Sequence, residues 1–124
     1  MIDPVLVDRA VALFDSARAG NCAELAAAFD DGVPVNLTDG NGNSYLMLAA
    51  YHGHADAVAL LIARGANIDK LNTIGQSPLA GTVFKRHTGV ARILVDAGAD
   101  PDLGVPSARV TAELYGSVDF DSFI

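Results

Sequence analysis

The sequence predicts an all-α fold built from repeated helix pairs. The chain repeats itself at a fixed offset of 33 residues, and this offset aligns Ser44/Ser77, Leu46/Leu79, His54/His87, Leu61/Leu94, Gly65/Gly98 and Asp69/Asp102. Within each unit, apolar residues recur at intervals of three and four, which is the helical period. Glycine follows most of these helical stretches, as it does where helices end. A fixed period of this length indicates an internal repeat whose unit is one pair of helices.

The first unit begins with a strong helix start. Asp3 can accept from free backbone N–H groups, and Pro4 needs no donor at the first helical position. We expect a helix to about residue 19, stopped at Gly20, and a second helix over about 23–30. The predicted packed side of the first helix comprises Val5, Leu6, Ala10, Leu13, Phe14 and Ala17.

The second and third units follow one plan. Residues 36–43 are almost entirely turn-forming, which predicts a projecting turn or hairpin before Ser44 as N-cap. Ser77 and Pro78 form a still better helix start in the third unit. That unit also deviates, because Arg86 occupies the position of the helix-ending Gly53.

The register fades after Pro101. Residues 108–115 fit one more short helix, stopped by Gly116, and residues 117–124 are too few for a complete second helix. The last unit is therefore predicted to be truncated.

The unit resembles the ankyrin repeat over roughly residues 9–103. Residues 48–54, Leu-Ala-Ala-Tyr-His-Gly-His, are similar to the family's Leu-Ala-Ala-x-x-Gly-His. Residues 77–79, Ser-Pro-Leu, resemble its Thr-Pro-Leu, whereas the second unit departs from it with Tyr-Leu-Met at 45–47. Residues 65–69 and 98–102 resemble its Gly-Ala-Asp-Val-Asn.

The resemblance implies an all-α solenoid in which each unit buries its apolar face only against its neighbours. We expect one domain over residues 1–124. It would comprise an N-terminal capping repeat at 1–36, full repeats at 37–69 and 70–102, and a truncated C-terminal cap at 103–124. The resemblance also implies that His54 and His87 are structural and bond to backbone in the turn between helices, while His52 points to solvent.

Charge and composition narrow the class of partner. The formal net charge of −7 would repel phosphate backbones and anionic lipid, so nucleic acid and membrane are disfavoured, while a basic or apolar protein surface is compatible. The single cysteine, the start without an export signal and the lack of a long apolar stretch favour a cytoplasmic protein.

No residue constellation predicts catalysis, a metal or a cofactor. Asp39, Asn41 and Asn43 have the opening spacing of a calcium loop, but Ser44 and Ala50 occupy the positions of its glycine and glutamate, which favours a repeat turn. The histidines lack a complementary ligand set for zinc, and nothing in the repeat places a base beside Cys22. We therefore expect a protein that is not an enzyme.

The resemblance implies a concave, partner-binding face made of the hairpin tips and the exposed ends of the inner helices. By position in the repeat, this face comprises Arg18 in the first unit, Asn41, Asn43, Tyr51 and His52 in the second, and Leu71, Thr73, Ile74, Gln76, Phe84 and Lys85 in or bordering the third.

The large apolar members of this set are Tyr51, Leu71, Ile74 and Phe84, and they occupy positions where solubility favours polar residues. Their placement predicts a non-catalytic module that binds a partner protein. An alternative is that Tyr51 and Phe84, equivalent in the repeat, stack on each other and only stabilise adjacent units. A second functional hypothesis is weak self-association through the incompletely capped C-terminal end. The expected oligomeric state is otherwise a monomer.

Overall fold

The computed structural model describes residues 3–115, 120, 123 and 124. Within these residues, regular secondary structure consists of helices and no strand, apart from the isolated bridges Thr38–Ser44 and Gly104–Ser107. The helices are α1 (Pro4–Ala19), α2 (Cys22–Asp30), α3 (Tyr45–Tyr51), α4 (Ala55–Ala63), α5 (Pro78–Phe84), α6 (Thr88–Asp96) and α7 (Ala108–Leu114).

The helices form two rows. The inner row runs α1, α3, α5 and α7, and each inner helix packs against the next. The outer row runs α2, α4 and α6, and each outer helix packs against the inner helix of its own unit. One apolar core therefore extends along the stack, and the predicted all-α solenoid is confirmed.

Hydroxyl caps start three of the inner helices in the same way. The Ser44 hydroxyl accepts from the backbone N–H of Met47 at 3.0 Å, and the Ser77 hydroxyl accepts from Ala80 N at 3.0 Å. Ser107 repeats the arrangement at α7. Such a cap satisfies a backbone donor that the helix itself leaves free. The predicted caps are confirmed.

Hairpins project between the units and are hydrogen-bonded to one another. Asp39 Oδ1 accepts from Asn41 N at 2.9 Å and Asn43 N at 3.0 Å, so this carboxylate closes the predicted turn. The next hairpin begins at Asn72, and its Thr73 N–H donates to Asn41 O at 3.0 Å. The hairpin tips are therefore held in register by main-chain bonds, which leaves their outward side chains on a fixed framework.

Two histidines connect consecutive units. His54 Nε2 lies 2.6 Å from Arg18 O, and His87 Nε2 lies 3.1 Å from Tyr51 O. Each bond joins the residue before an outer helix to the C-terminal end of the inner helix in the preceding unit. The prediction of structural histidines is confirmed, and His52 is exposed as expected.

Tyr45, which the repeat pattern gave no reason to single out, is a fully buried core residue. Its ring stacks on Phe14 at a centroid distance of 4.5 Å, and its hydroxyl donates to Ala10 O at 2.7 Å. Burial raises the pKa of Tyr45 to about 12. A tyrosine fits here because its polar end reaches a backbone acceptor on α1.

The predicted packed side of α1 is confirmed except at Val5: Leu13 and Ala17 are buried, and Leu6, Ala10 and Phe14 pack against the core. Val5 is 66% exposed, and Val7 and Val11 are exposed as well, so α1 shows apolar side chains to solvent at its N-terminal end. In the tail, Phe120 is buried in the core. The predicted stop at Gly116 and most of the tail segment 117–124 lie outside the described residues.

Candidate functional site

The hairpins and the C-terminal ends of the inner helices border two adjoining depressions. Tyr51, Ile74 and Gln76 line both of them. We call the combined surface the hairpin groove. It is lined by Arg18, Asp39, Asn41, Asn43, Met47, Leu48, Tyr51, His52, Asn72, Ile74, Gln76, Phe84, Pro106, Thr111, Leu114 and Tyr115.

One half of the groove has a mixed polar and apolar lining. This depression has a volume of about 300 Å³ and contains the predicted residues Arg18, Asn41, Asn43 and His52. Asn43 Oδ1 accepts from Asn72 Nδ2 at 3.0 Å, so the amide side chains of neighbouring hairpins are joined. This half presents fixed hydrogen-bonding groups.

The other half of the groove is apolar. Its volume is about 310 Å³, and its walls are made by the last turns of α5 and α7 together with Ile74 at a hairpin tip. Ile74 is 75% exposed, Leu114 68%, Tyr115 51% and Phe84 43%. Large apolar side chains this exposed contribute little to the core, and their clustering in a depression is typical of a binding surface.

Tyr51 and Phe84 do not stack on each other in the groove, as one hypothesis from the sequence proposed; each contacts a different residue. Phe84 packs edge-to-face on Tyr115 at 5.4 Å, and the Lys85 ammonium lies 5.3 Å from the centre of the Tyr51 ring. The proposed Tyr51–Phe84 stack is therefore not how these rings are paired in the described structure. Tyr115 was missed as a groove residue because the repeat register is lost before it.

The remaining predicted residues lie at the edge of the groove. Thr73 is engaged in the hairpin contact, since its N–H and hydroxyl both donate to Asn41 O. Leu71 lies outside both depressions, with its Cδ2 3.4 Å from where a Cβ on Gly104 would be. Leu71 therefore lies near Gly104 of the last unit, and Ile74 is the residue exposed at the hairpin tip.

Arg18, Lys85 and Arg86 lie on or beside the groove, although the chain as a whole is acidic. Burial, and then the neighbouring charges of His54, Arg18, Lys85 and His87, lower the pKa of His52. All four neighbours are cationic or can become so. Asp39 is the carboxylate among the groove residues, and its side chain is only 15% exposed beside Arg18 at 3.5 Å.

A separate apolar depression lies at the N-terminal end of the stack. Its volume is about 570 Å³, and α1 and the segment 32–38 form its walls, with Leu6, Val7, Val11, Phe14 and Leu37 among the lining residues. This depression contains none of the residues predicted for partner binding.

Among the described residues, no helix has the length and apolar character that crossing a bilayer requires. Over the same residues, no group of three or more histidine, cysteine, aspartate or glutamate side chains could hold a metal ion.

Helix pairs stacked in register and joined by bonded hairpins define a repeat-protein scaffold. The sequence model of the family described as ankyrin repeats, in three copies, matches residues 12–104. The chain therefore belongs to the ankyrin repeat family. Ankyrin repeats are generally modules for protein–protein interaction and are not generally enzymes.

Several proteins are similar to parts of the chain. An ankyrin repeat protein of Pseudomonas aeruginosa is 54% identical over 48 residues, which are 39% of this chain and 28% of that protein. The ankyrin repeat and SAM domain-containing protein 6 of Mus musculus is 40% identical over 88 residues, which are 70% of this chain and 10% of that protein. An ankyrin repeat-containing protein of Treponema pallidum is 36% identical over 85 residues, which are 68% of this chain and 28% of that protein. The chain spans 28% or less of the length of these relatives.

Proposed function

We propose that this chain binds a partner protein at the hairpin groove, on the concave face of turns and inner helices, without catalysing a reaction. The observation that carries the proposal is the exposed apolar cluster of Ile74, Phe84, Leu114 and Tyr115 around one depression. A buried apolar anchor with a polar surround is the usual arrangement of an interface whose affinity depends on few residues.

Rigid presentation is the mechanism that the local structure supports. Hairpin tips tied by the Thr73–Asn41 bonds lose little conformational entropy on binding, because their backbone is already ordered. A preorganised surface keeps more of its contact energy as affinity.

Affinity capture from native lysate tests the proposal. The bait carries Ile74→Ser or Phe84→Ser, and the matched control carries Val5→Ser, an apolar residue 66% exposed on α1 and outside the groove. We expect at least one protein to bind the unmodified chain and the control but not the groove variants. Capture that is unchanged by both groove substitutions would refute the proposal.

Stability must be measured on the same variants. Because Ile74 is 75% exposed, Ile74→Ser should change the free energy of unfolding by no more than about 0.5 kcal/mol. A loss of several kcal/mol would mean that the cluster stabilises the fold instead.

Self-association is the second candidate function, and exposed apolar residues at both ends of the inner row favour it. Val7 and Val11 are exposed on α1, and Val110 and Leu114 are exposed on α7. A contact between unlike ends would be head-to-tail and open-ended. Light scattering at high micromolar concentration tests this candidate, since a monomer there would remove it.

A further inference from the structure

We propose that the ligand of the hairpin groove is a linear protein segment with one large apolar side chain and an aspartate or glutamate within a few residues of it. This inference rests on the proposed function and names the chemistry of the partner. It also reverses what the net charge of −7 alone suggests, namely a basic partner surface.

The size and lining of the apolar depression indicate which side chain of the ligand would occupy it. Its volume of about 310 Å³ is at the lower limit for small-molecule pockets, about 300–1,000 Å³. Ile74, Phe84, Leu114 and Tyr115 are its large exposed apolar lining residues, and Gln76 and Thr111 are its polar ones. Such a site suits one large aliphatic or aromatic side chain better than a flat protein surface.

Two cations border this depression. Lys85 places its ammonium over the Tyr51 ring, which lines both halves of the groove. Arg86 donates to Tyr115 O at 3.2 Å, on the opposite wall. Neither side chain forms a salt bridge with a carboxylate of the described residues, whereas Arg9, Arg64 and Arg109 each pair with an aspartate.

The charges that face the groove favour an anionic ligand. Lys85 and Arg86 lie beside it, whereas Arg18 is paired with Asp15 at 2.8 Å and with Asp39 at 3.5 Å. The lining carboxylate of Asp39 also accepts from Asn41 N and Asn43 N. A carboxylate beside the anchor would approach Lys85 and Arg86 with favourable Coulomb energy, which improves association rate and orientation.

A protein segment fits these features better than nucleic acid does. Phosphate backbones, which carry one charge per nucleotide, would be repelled by a chain whose formal net charge is −7.

Selection of short random peptides displayed on phage tests the inference on the full chain. We expect the enriched peptides to combine a large apolar residue with Asp or Glu nearby, and to bind no longer when the chain carries Phe84→Ser. A fluorescent peptide of the enriched sequence then reports affinity by anisotropy.

The variant Lys85→Gln/Arg86→Gly removes the two cations at the groove. The matched control Arg9→Gln/Arg64→Gln removes as many cations from exposed ion pairs outside it. We expect the groove variant to bind the peptide about tenfold more weakly, which is about 1.4 kcal/mol, and the control to bind as the unmodified chain does. Lys85→Arg/Arg86→Lys, which retains both charges, should restore most of the affinity, and circular dichroism verifies that each variant is folded.

Each contrary outcome has a separate meaning. Enriched peptides that need Phe84 but show no acidic preference, and that bind the Lys85→Gln/Arg86→Gly variant as tightly, would overturn this inference and leave the proposed function standing. Peptides insensitive to Phe84→Ser, or no enrichment, would contradict both. Tighter binding of a polyuridine oligonucleotide than of the peptide, at the same salt concentration, would also overturn the inference.

Discussion

Gly53 lies where two neighbouring units touch, and replacing it tests how the stack is held together. The residue has a φ of 78°, and a Cβ built on it would lie 2.8 Å from Cε1 and Nδ1 of His87. Gly53→Ala therefore introduces both a backbone strain and a collision. To admit the methyl group, the imidazole must move away from Tyr51 O, to which it is bonded at 3.1 Å.

The cost follows from these two contacts. A left-handed conformation costs a residue with a Cβ about 1–2 kcal/mol. Loss of the bond between His87 and Tyr51 O adds about 1 kcal/mol. Ala restricts the unfolded chain more than Gly does, which offsets about 0.4–1 kcal/mol of this cost. We therefore expect Gly53→Ala to lower the free energy of unfolding by about 1–2.6 kcal/mol.

Arg86 provides the matched comparison at the equivalent position of the next unit. Its φ is 62°, so it already carries the strain, but the position 33 residues after His87 is Phe120 and not a histidine. Arg86→Gly removes about 1–2 kcal/mol of strain. Glycine gives the unfolded chain more conformational freedom, which offsets about 0.4–1 kcal/mol of that gain. The exposed hydrogen bond from the Arg86 guanidinium to Tyr115 O is also lost. We expect a change between about zero and 1 kcal/mol, in the stabilising direction.

Urea unfolding followed by far-ultraviolet circular dichroism measures both variants, provided that the slopes with denaturant stay equal. The sign should differ between the two sites although both residues have a positive φ. A stability change for Gly53→Ala below about 1 kcal/mol, or a clear destabilisation by Arg86→Gly, would refute this account of how the units are coupled.

Three further outcomes are expected. Tyr45→Phe should lower the free energy of unfolding, measured in urea, by about 1 kcal/mol because Ala10 O loses its donor. Tyr115→Phe, at an exposed ring, should leave it almost unchanged. Equal effects of the two substitutions would contradict the role of Tyr45. Burial raises the pKa of Tyr45 to about 12, against about 10 for a free tyrosine, so between these pH values the folded chain keeps the phenol proton that the unfolded chain loses. The free energy of unfolding should therefore fall as pH rises from 10 to 12, and it should fall less in Tyr45→Phe. Identical pH profiles of the two proteins would count against this. Val11→Lys should abolish any concentration-dependent association of the chain seen by light scattering if the α1 end is an assembly surface; association that persists would exclude this end.

The repeated framework could be predicted from local sequence. Ser44 and Ser77 predict helix starts because a serine hydroxyl can cap a helix N-terminus. His54 and His87 are 33 residues apart and make equivalent bonds in consecutive units. These features depend on residues whose partners are fixed by the repeat itself. Period and caps were therefore sufficient for the helix order, whereas the backbone bonds of the two histidines were expected from the resemblance to the ankyrin repeat.

Features that depend on the irregular units could not be predicted in this way. Tyr45 is buried because Phe14 and Ala10 O are in reach on a longer first helix, and no repeat position supplies that information. Likewise, Phe84 finds Tyr115 because α7 follows it, although the register is lost in between. The apolar half of the hairpin groove therefore became visible only when α5 and α7 were placed side by side.

Photo-crosslinking in native lysate tests the central claim most directly, because it reports which surface a partner touches. Benzoylphenylalanine replaces Ile74 at the groove or, as the control, Ala59, which is exposed on the outer helix α4. Our account predicts a discrete crosslinked protein from position 74 that position 59 does not yield, and that disappears when Phe84→Ser is added. Crosslinks of the same protein from both positions, or from position 59 alone, would contradict partner binding at the hairpin groove.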